Sequence, residues 1–182
     1  MSVTPDLDTR FRAAALAEGL VDVRYDVVDS PVGELLVAAT DRGLCRVSYV
    51  VDDGESLVRT FGGRILRLPL DEVRRELDEY FAGARTAFDL PLDLRVAPFP
   101  EQVLRELGRV PYGATTTYGA LAAKVGRPRA ARAVGTVMNR NPLPIVLPCH
   151  RVVGANGALT GYAGGLERKQ ALLTLEGIRL TP

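Results

Sequence analysis

Prolines at positions 91, 98 and 100 interrupt the segment from Thr86 to Pro100, which has no helical period. Proline lacks a backbone donor and holds the residue before it in extended geometry, so neither a helix nor a central strand can continue through this segment. In a chain of 182 residues this interruption predicts a domain boundary. We predict a helical extension over 1–20, an N-terminal α/β domain over 21–92 and a C-terminal domain over 93–182.

Before this boundary the sequence is typical of a small sheet. Runs rich in β-branched residues begin at Val23 and are separated by the turn sequences SPVG and TDRG, which predicts an antiparallel meander of three strands. One helix is predicted over 7–19, ending at Gly19, and another over 70–82, ending at Gly83. Together these patterns predict the α+β fold class.

After the boundary the sequence predicts short helices. They are expected over 101–107, over 118–125 with Thr117 as the N-cap, and over 129–139. The last two are rich in alanine and are joined by the turn sequence GRP, which is the outline of a helix-turn-helix. An alanine-rich helix that only packs against its neighbour would give the same pattern, so both interpretations stay open.

Charge is distributed unevenly along the chain. Positions 1–106 hold 13 Lys and Arg against 20 Asp and Glu, positions 107–151 hold 7 against 0, and positions 152–182 hold 3 against 2. A long stretch without a carboxylate favours contact with a polyanion, because an acidic side chain would be repelled by phosphates. The alternative is an ordinary basic face on a globular domain.

The sequence NPLPIVLPCHRVVG places Cys149 beside the only histidine, His150. Its prolines predict a stiff, largely buried strand or strap from Asn141 to Pro148, which would fix the direction of the thiol. A histidine that takes the thiol proton, directly or through one water, would make the sulfur a nucleophile. A carboxylate at a helix C-terminus is unfavourable without a donor, which makes Glu176 a candidate to orient His150. The alternatives are an inert buried cysteine and a solvent-exposed glutamate.

Other classes of protein are disfavoured by composition. The sequence has no apolar run long enough to cross a membrane, and its N-terminus carries acids where a secretory signal carries basic residues, so we expect a cytoplasmic protein. Two cysteines and one histidine provide neither a disulfide framework nor the usual ligands of a structural zinc. We expect no metal site.

Five motifs occur in order between Val110 and Gly177: PYGATTTYGALA, RAVGTVMNRNP, PCHRVVG, LTGYAGGLERK and LLTLEG. This run closely resembles the O6-alkylguanine-DNA alkyltransferases, also called methylated-DNA--protein-cysteine methyltransferases. The resemblance implies an N-terminal RNase H-like domain and a C-terminal winged helix-turn-helix domain. It implies DNA repair by stoichiometric, irreversible transfer of an alkyl group from O6-alkylguanine to the protein, with no cofactor and with O4-alkylthymine as an alternative substrate.

The resemblance also assigns roles to residues of this sequence. Cys149 would accept the alkyl group, His150 would be the water-mediated base, Glu176 would orient His150, and Asn141 would hold the turn. Arg132 would enter the duplex in place of an extruded nucleotide, with Tyr118 crowding the rotating phosphate. The remaining expected DNA contacts, made through the minor groove, are Ala130, Ala131, Gly135 and Arg151. The guanine pocket would be lined by Tyr162, Ala163, Val152 and Lys169.

Duplex DNA is thus the expected partner, bound by a monomer or by molecules clustered along the DNA. Three other functions are considered. An alkyltransferase-like protein would bind the lesion without a reactive cysteine, which the presence of Cys149 argues against. A cysteine hydrolase would need an oxyanion hole and would turn over, and a plain winged-helix regulator would leave the Cys-His pair without a role.

Overall fold

The computed structural model describes residues 5–49 and 55–179 of the chain. Its N-terminal part consists of a four-stranded sheet with helices before, between and after its strands. In chain order the elements are α1 (Pro5–Ala17), β1 (Val23–Val28), β2 (Leu35–Thr40), β3 (Gly43–Ser48), α2 (Glu55–Phe61), β4 (Ile65–Arg67) and α3 (Asp71–Phe81).

The sheet has the strand order β3-β2-β1-β4, with antiparallel pairs β1–β2 and β2–β3 and a parallel pair β1–β4. The antiparallel meander predicted from Val23 onward is therefore present. The structure adds α2 and β4, which sequence reasoning missed because β4 has only three residues and no alternating pattern. Every residue of β2 is buried, so this strand is covered on both faces.

The C-terminal part is mainly helical. Its elements are α4 (Pro98–Gly108), β5 (Thr116–Thr117), α5 (Tyr118–Lys124), α6 (Ala131–Asn139), β6 (Val152–Val153) and α7 (Leu166–Leu175). The side chain of Thr117 accepts a hydrogen bond from Ala120 N at 3.1 Å, which confirms it as the N-cap of α5. Helices α5 and α6 are in contact and form the expected helix-turn-helix, while β5 and β6 pair in parallel.

Helix α4 begins at Pro98, earlier than the predicted start at residue 101. Proline is well placed in the first turn of a helix, because its missing N–H would have had no partner there. Ala97 before it is extended, with φ −66° and ψ 160°, as expected for a residue that precedes proline. The prolines thus end the extended segment by starting the helix.

The segment that leads into α4 runs along β3 and joins the two parts of the molecule. Leu44 N donates to Pro91 O at 2.8 Å and Asp93 N donates to Leu44 O at 2.9 Å. Gly43 is required at this edge, since a Cβ there would lie 2.2 Å from Pro91 O. One hydrophobic cluster includes buried side chains of β2, β3, α3, α4, α5 and α6, so the two parts share a core.

The segment from Asn141 to Pro148 is buried as predicted, but it is not a strand. Leu147 N donates to Leu143 O at 2.8 Å, which closes a helical turn, and Ile145 has a positive φ of 75°. The chain therefore turns between the prolines instead of running extended through them. The segment is a compact strap of turns, and it delivers Cys149 into the interior. No helix in the described ranges is long and apolar enough to cross a membrane.

Candidate active site

Cys149 begins a single 3-10 turn that covers Cys149–Arg151, directly after the strap. The thiol is buried, with 4% of the residue exposed. Asn141 holds it in place: its Nδ2 donates to Leu147 O at 2.8 Å and lies 3.1 Å from Sγ of Cys149. Oδ1 of Asn141 accepts from Leu143 N at 3.0 Å, so one amide side chain ties together both ends of the strap.

His150 points away from Cys149, into the interior, where none of its surface is exposed. Its Nε2 lies 2.8 Å from Oε1 of Glu176. A carboxylate can only accept, so Nε2 carries the hydrogen and Nδ1 is left with a free lone pair. Within the described ranges Nδ1 is buried and has no hydrogen-bond partner, and it is therefore the atom of His150 that is able to accept a proton.

Glu176 is the centre of a buried network at the C-terminus of α7. Besides His150, it accepts from the Tyr80 hydroxyl at 2.7 Å and from Nε and Nη2 of Arg151, both at 2.8 Å. Gly113 N approaches Oε2 at 3.4 Å. The glutamate is 4% exposed, which rules out the alternative of a solvent-exposed side chain.

The pKa values follow from these contacts. Burial alone would raise the pKa of Glu176, but the hydrogen bonds from His150 and Arg151 outweigh it and lower the pKa to about 2. Burial lowers the pKa of His150 despite its carboxylate partner. Burial also raises the pKa of Cys149 to about 11, against the opposing effects of Asn141, Lys169 and Tyr162. At neutral pH the site therefore holds a thiol, a neutral imidazole and a carboxylate, and the thiol needs a base to become reactive.

Arg151 is not on the DNA-facing surface where the sequence analysis placed it. It is 5% exposed, its Nη1 donates to Val110 O at 2.5 Å, and its other donors bind Glu176. A charged side chain is seldom buried without such a partner, and the planar guanidinium matches the two carboxylate oxygens. The prediction of DNA contact is wrong for this residue, which instead balances the charge of Glu176.

A pocket of roughly 220 Å³ opens beside the thiol. Its walls include Cys149 and Asn141, together with Tyr162 and Ala163, which the sequence analysis assigns to the guanine pocket. The end of α6 and the end of β3 complete it with Met138, Asn139, Arg140, Arg46, Ser48 and Tyr49. The pocket thus combines both domains.

Val152 and Lys169 lie behind this pocket and do not line it. Lys169 is fully buried, and its Nζ donates to Val152 O at 2.5 Å and to Thr160 O at 3.1 Å. Burial lowers the pKa of Lys169 to about 8. Lys169 joins α7 to the loop that carries Tyr162, and its positive charge favours the thiolate form of Cys149.

Helix α6 presents Arg132, Ala133 and Thr136 to solvent, while Val134, Val137 and Met138 are buried. Ala130 and Ala131 are partly buried at its start. The Tyr118 hydroxyl lies 2.9 Å from Oγ1 of Thr160, and a Cβ added at Gly135 would meet the Tyr118 ring at an ordinary contact distance of 3.8 Å. The helix therefore has a solvent face of small residues with one long cation, and its last residues lead into the pocket.

The acid-free stretch forms a basic surface around this helix. Arg109 pairs with Glu106 and Arg151 with Glu176. Within the described ranges the remaining cations have no carboxylate partner and are exposed: Lys124, Arg127, Arg129, Arg132 and Arg140. An unbalanced basic face of this kind fits a polyanion such as DNA. Among the described residues no group of three His, Cys, Asp or Glu side chains is placed to hold a metal ion.

Sequence reasoning missed several residues of the site, among them Tyr49, Tyr80 and Gly113. Tyr80 was visible only as an apolar position of a helix in the other domain, and its bond to Glu176 spans 96 residues. Tyr49 and Gly113 carry no local signal of function. Contacts over such separations depend on how the two domains pack.

Comparison with known proteins agrees with this geometry. Residues 23–94 match the ribonuclease-like domain family of 6-O-methylguanine DNA methyltransferase, and residues 98–178 match its DNA-binding domain family. The methylated-DNA--protein-cysteine methyltransferase of Mycolicibacterium paratuberculosis is 45% identical over 161 residues, which cover 85% of this chain and 92% of that protein. The constitutive enzyme of Bacillus subtilis is 42% identical over 157 residues, covering 85% of this chain and 95% of that protein.

A solved structure has a similar overall fold. The crystal structure of Mycobacterium tuberculosis OGT in complex with DNA is 41% identical and superposes with a TM-score of 0.75, covering 85% of this chain and 93% of that chain. A buried cysteine next to a buried histidine, an exposed basic face and family matches over both domains lead to one conclusion. The chain belongs to the methylated-DNA--protein-cysteine methyltransferases, which repair DNA directly by taking its methyl group onto a cysteine of the protein.

Proposed function

We propose that Cys149 is the acceptor and that the substrate is O6-alkylguanine in duplex DNA, presented to the pocket as an extruded nucleotide. The observation that carries the assignment is the environment of this thiol. Cys149 opens into the pocket beside the DNA-facing helix, and Asn141 holds its sulfur at 3.1 Å. Cys45, by contrast, lies in the second hydrophobic cluster, where its Sγ donates to Ala38 O at 3.3 Å.

The proposed reaction begins with the thiol proton. His150 Nδ1 takes it through one bridging water, and Glu176 stabilises the imidazolium that forms. The thiolate attacks the alkyl carbon, forming the S–C bond as the bond between that carbon and O6 breaks. The displaced guanine keeps the electron pair and receives the proton, so the net change exchanges a proton for an alkyl group. The thioether product is stable, and each molecule acts once.

DNA binding is proposed to depend on the backbone rather than on base sequence, because lesions occur in any sequence. The five exposed cations described above suit contacts with phosphates. Arg132 stands on the solvent face of α6, and we assign it the space left by the extruded nucleotide. Ala133 and the partly buried Ala130 and Ala131 leave room for the helix to approach a groove.

Mass spectrometry tests the acceptor directly. The protein is mixed with a slight excess of duplex that contains one O6-methylguanine, and its peptides are analysed. We expect one methyl group on the peptide containing Cys149, none on Cys45, and repair that stops at one equivalent. Cys149→Ala should bind DNA and transfer nothing. Methylation of Cys45 in this variant, or lesion binding by the natural protein without any mass shift, would overturn the assignment.

Arg132→Ala tests extrusion. Repair of duplex DNA should slow at least tenfold, because unpairing a base costs a few kcal/mol that the inserted side chain offsets. Reaction with free O6-benzylguanine needs no extrusion and should change less than twofold. Arg129→Ala removes a neighbouring exposed cation before α6 and serves as the control for lost charge. Equal losses of Arg132→Ala on both substrates would reject this role.

A further inference from the structure

The N-terminal domain reaches the reactive pocket through the end of β3. Val47 N donates to Pro142 O at 2.8 Å, which fastens this strand to the strap that carries Cys149. Tyr49 follows two residues later and lines the pocket together with Cys149 and Tyr162. A side chain of the N-terminal domain thus lies beside Cys149, which belongs to the C-terminal domain.

Tyr49 is held against Tyr162 on several sides. The two hydroxyls are 2.5 Å apart, and the rings meet edge to face with centroids 6.0 Å apart. The guanidinium of Arg168 lies over the Tyr49 ring, 5.0 Å from its centroid, and is itself anchored to Val32 O and Gly164 O. A Cβ at Gly164 would come within 2.5 Å of the Tyr49 ring and 2.8 Å of the Tyr162 ring, so only glycine fits between them.

The two hydroxyls share one hydrogen bond, and each has a single proton to donate. If Tyr162 donates to Tyr49, its proton is turned away from the sulfur. If Tyr49 donates, the Tyr162 proton is free to point at Sγ, and the thiolate would reinforce this direction once it forms. Burial raises the pKa of both tyrosines well above the ordinary value, so both keep their protons at neutral pH.

We propose that Tyr49 is a positioning residue of the alkyl-transfer site: its hydroxyl donates to that of Tyr162 and thereby directs the Tyr162 proton toward Sγ of Cys149. The N-terminal domain would then contribute to the reaction by fixing the last donor to the developing thiolate. The inference rests on the proposed role of Cys149 as acceptor. Tyr162 lines the pocket beside Cys149, and its influence lowers the pKa of that thiol against the effect of burial, which agrees with this direction.

Other charged or titratable groups also face the sulfur or its pocket. They are Lys169 on α7, and Arg46, Arg140 and Arg168 around the pocket, while His150 in the same turn faces the interior. All of them are retained in a Tyr49→Phe variant, which removes one hydroxyl and keeps the ring over Gly164. The change therefore isolates the hydrogen bond from the packing of the ring and from the charges nearby.

The test is the rate of benzyl transfer from free O6-benzylguanine, measured between pH 6.5 and 10 under single-turnover conditions. At pH 7.5 Tyr49→Phe should be slower by about threefold to tenfold, the usual effect of one neutral hydrogen bond. The deficit in rate should hold from pH 6.5 to 10, because a pKa of about 11 leaves the Cys149 thiol mostly protonated throughout this range and the rates of both proteins rise with pH in parallel. Tyr25→Phe, the same change elsewhere in the N-terminal sheet, is the control and should match the natural protein.

A double-mutant cycle completes the test, because the proposed effect of Tyr49 passes through Tyr162. In a Tyr162→Phe background, Tyr49→Phe should have no further effect on the rate. An effect that persists there would show a role in packing only and overturn the inference. If the natural protein acquires no benzyl group on Cys149, the proposed function itself fails; transfer at equal rates by Tyr49→Phe refutes only the inference.

Discussion

Glu176→Gln keeps the shape of the side chain that joins His150 to Arg151 but removes its charge. The variant leaves the guanidinium of Arg151, 5% exposed, without a counter-charge. Removing one partner of a buried ion pair costs about 3–5 kcal/mol. The lowering of the Glu176 pKa from 4.5 to about 2 gives a second figure, about 3 kcal/mol at neutral pH. Both lines of reasoning lead us to expect a loss of about 3 kcal/mol in the free energy of unfolding.

The pH dependence of this loss has a definite sign. A carboxylate with a lowered pKa in the folded state contributes stability that is fully present above its ordinary value of 4.5 and is lost as the pH falls toward 2. At pH 3 only about 1.4 kcal/mol of the contribution should remain. The difference between the natural protein and Glu176→Gln should therefore narrow by about 2 kcal/mol between pH 7 and pH 3.

Urea unfolding followed by circular dichroism at both pH values measures this difference. Glu167→Gln is the matched control, since it makes the same change on the exposed side of the same helix. Other carboxylates titrate equally in the natural protein and in the variants, so the difference isolates Glu176. A loss below about 1 kcal/mol at pH 7, the range of an exposed charge, would refute the reasoning. A loss in the free energy of unfolding that is as large at pH 3 as at pH 7 would also refute it.

Two further predictions concern packing around the site. Asn141→Ala should cost about 1–3 kcal/mol of stability, because it leaves buried backbone groups of the strap unpaired, and should slow benzyl transfer to Cys149 at least tenfold. Thermal unfolding measures the loss of stability, and single-turnover assays measure the rate of benzyl transfer. A transfer rate within twofold of the natural protein would contradict the role of Asn141 in holding the thiol. Gly43→Ala should destabilise the protein by about 3 kcal/mol, since its Cβ would collide with Pro91 O. Gly83 also has a positive φ, 73° against 138° at Gly43, but no close neighbour, so urea unfolding should show about 1 kcal/mol for Gly83→Ala, and equal losses would rule out the collision.

Much of the fold was predictable from local sequence. Thr117 was identified as an N-cap from its residue type and position, and its side chain does accept from Ala120 N. The turn sequences between β1, β2 and β3 marked the meander. These predictions succeeded because caps, turns and hydrophobic periods depend on residues within a few positions of one another.

Predictions failed where a local sequence pattern is compatible with more than one structure. The prolines of the strap predicted extended residues, and the chain forms turns between them, with a positive φ at Ile145. Arg151 was assigned to the DNA surface with the other contacts that the resemblance implies, yet it pairs with Glu176, 25 residues away. Charge along the sequence does not show which cations will be neutralised after folding.

The sequence by itself determined the family, the helix-turn-helix and the Cys149–His150 pair, because these depend on motifs and on neighbours in the chain. Only the tertiary structure decided that Glu176 receives Tyr80 and Arg151, and that Tyr49 meets Tyr162 at a distance of 113 residues along the chain. The physical reason is that a buried polar group must find a partner, but its type limits that partner only to a donor or an acceptor. The partner that each buried group meets depends on how the two domains pack around their shared core.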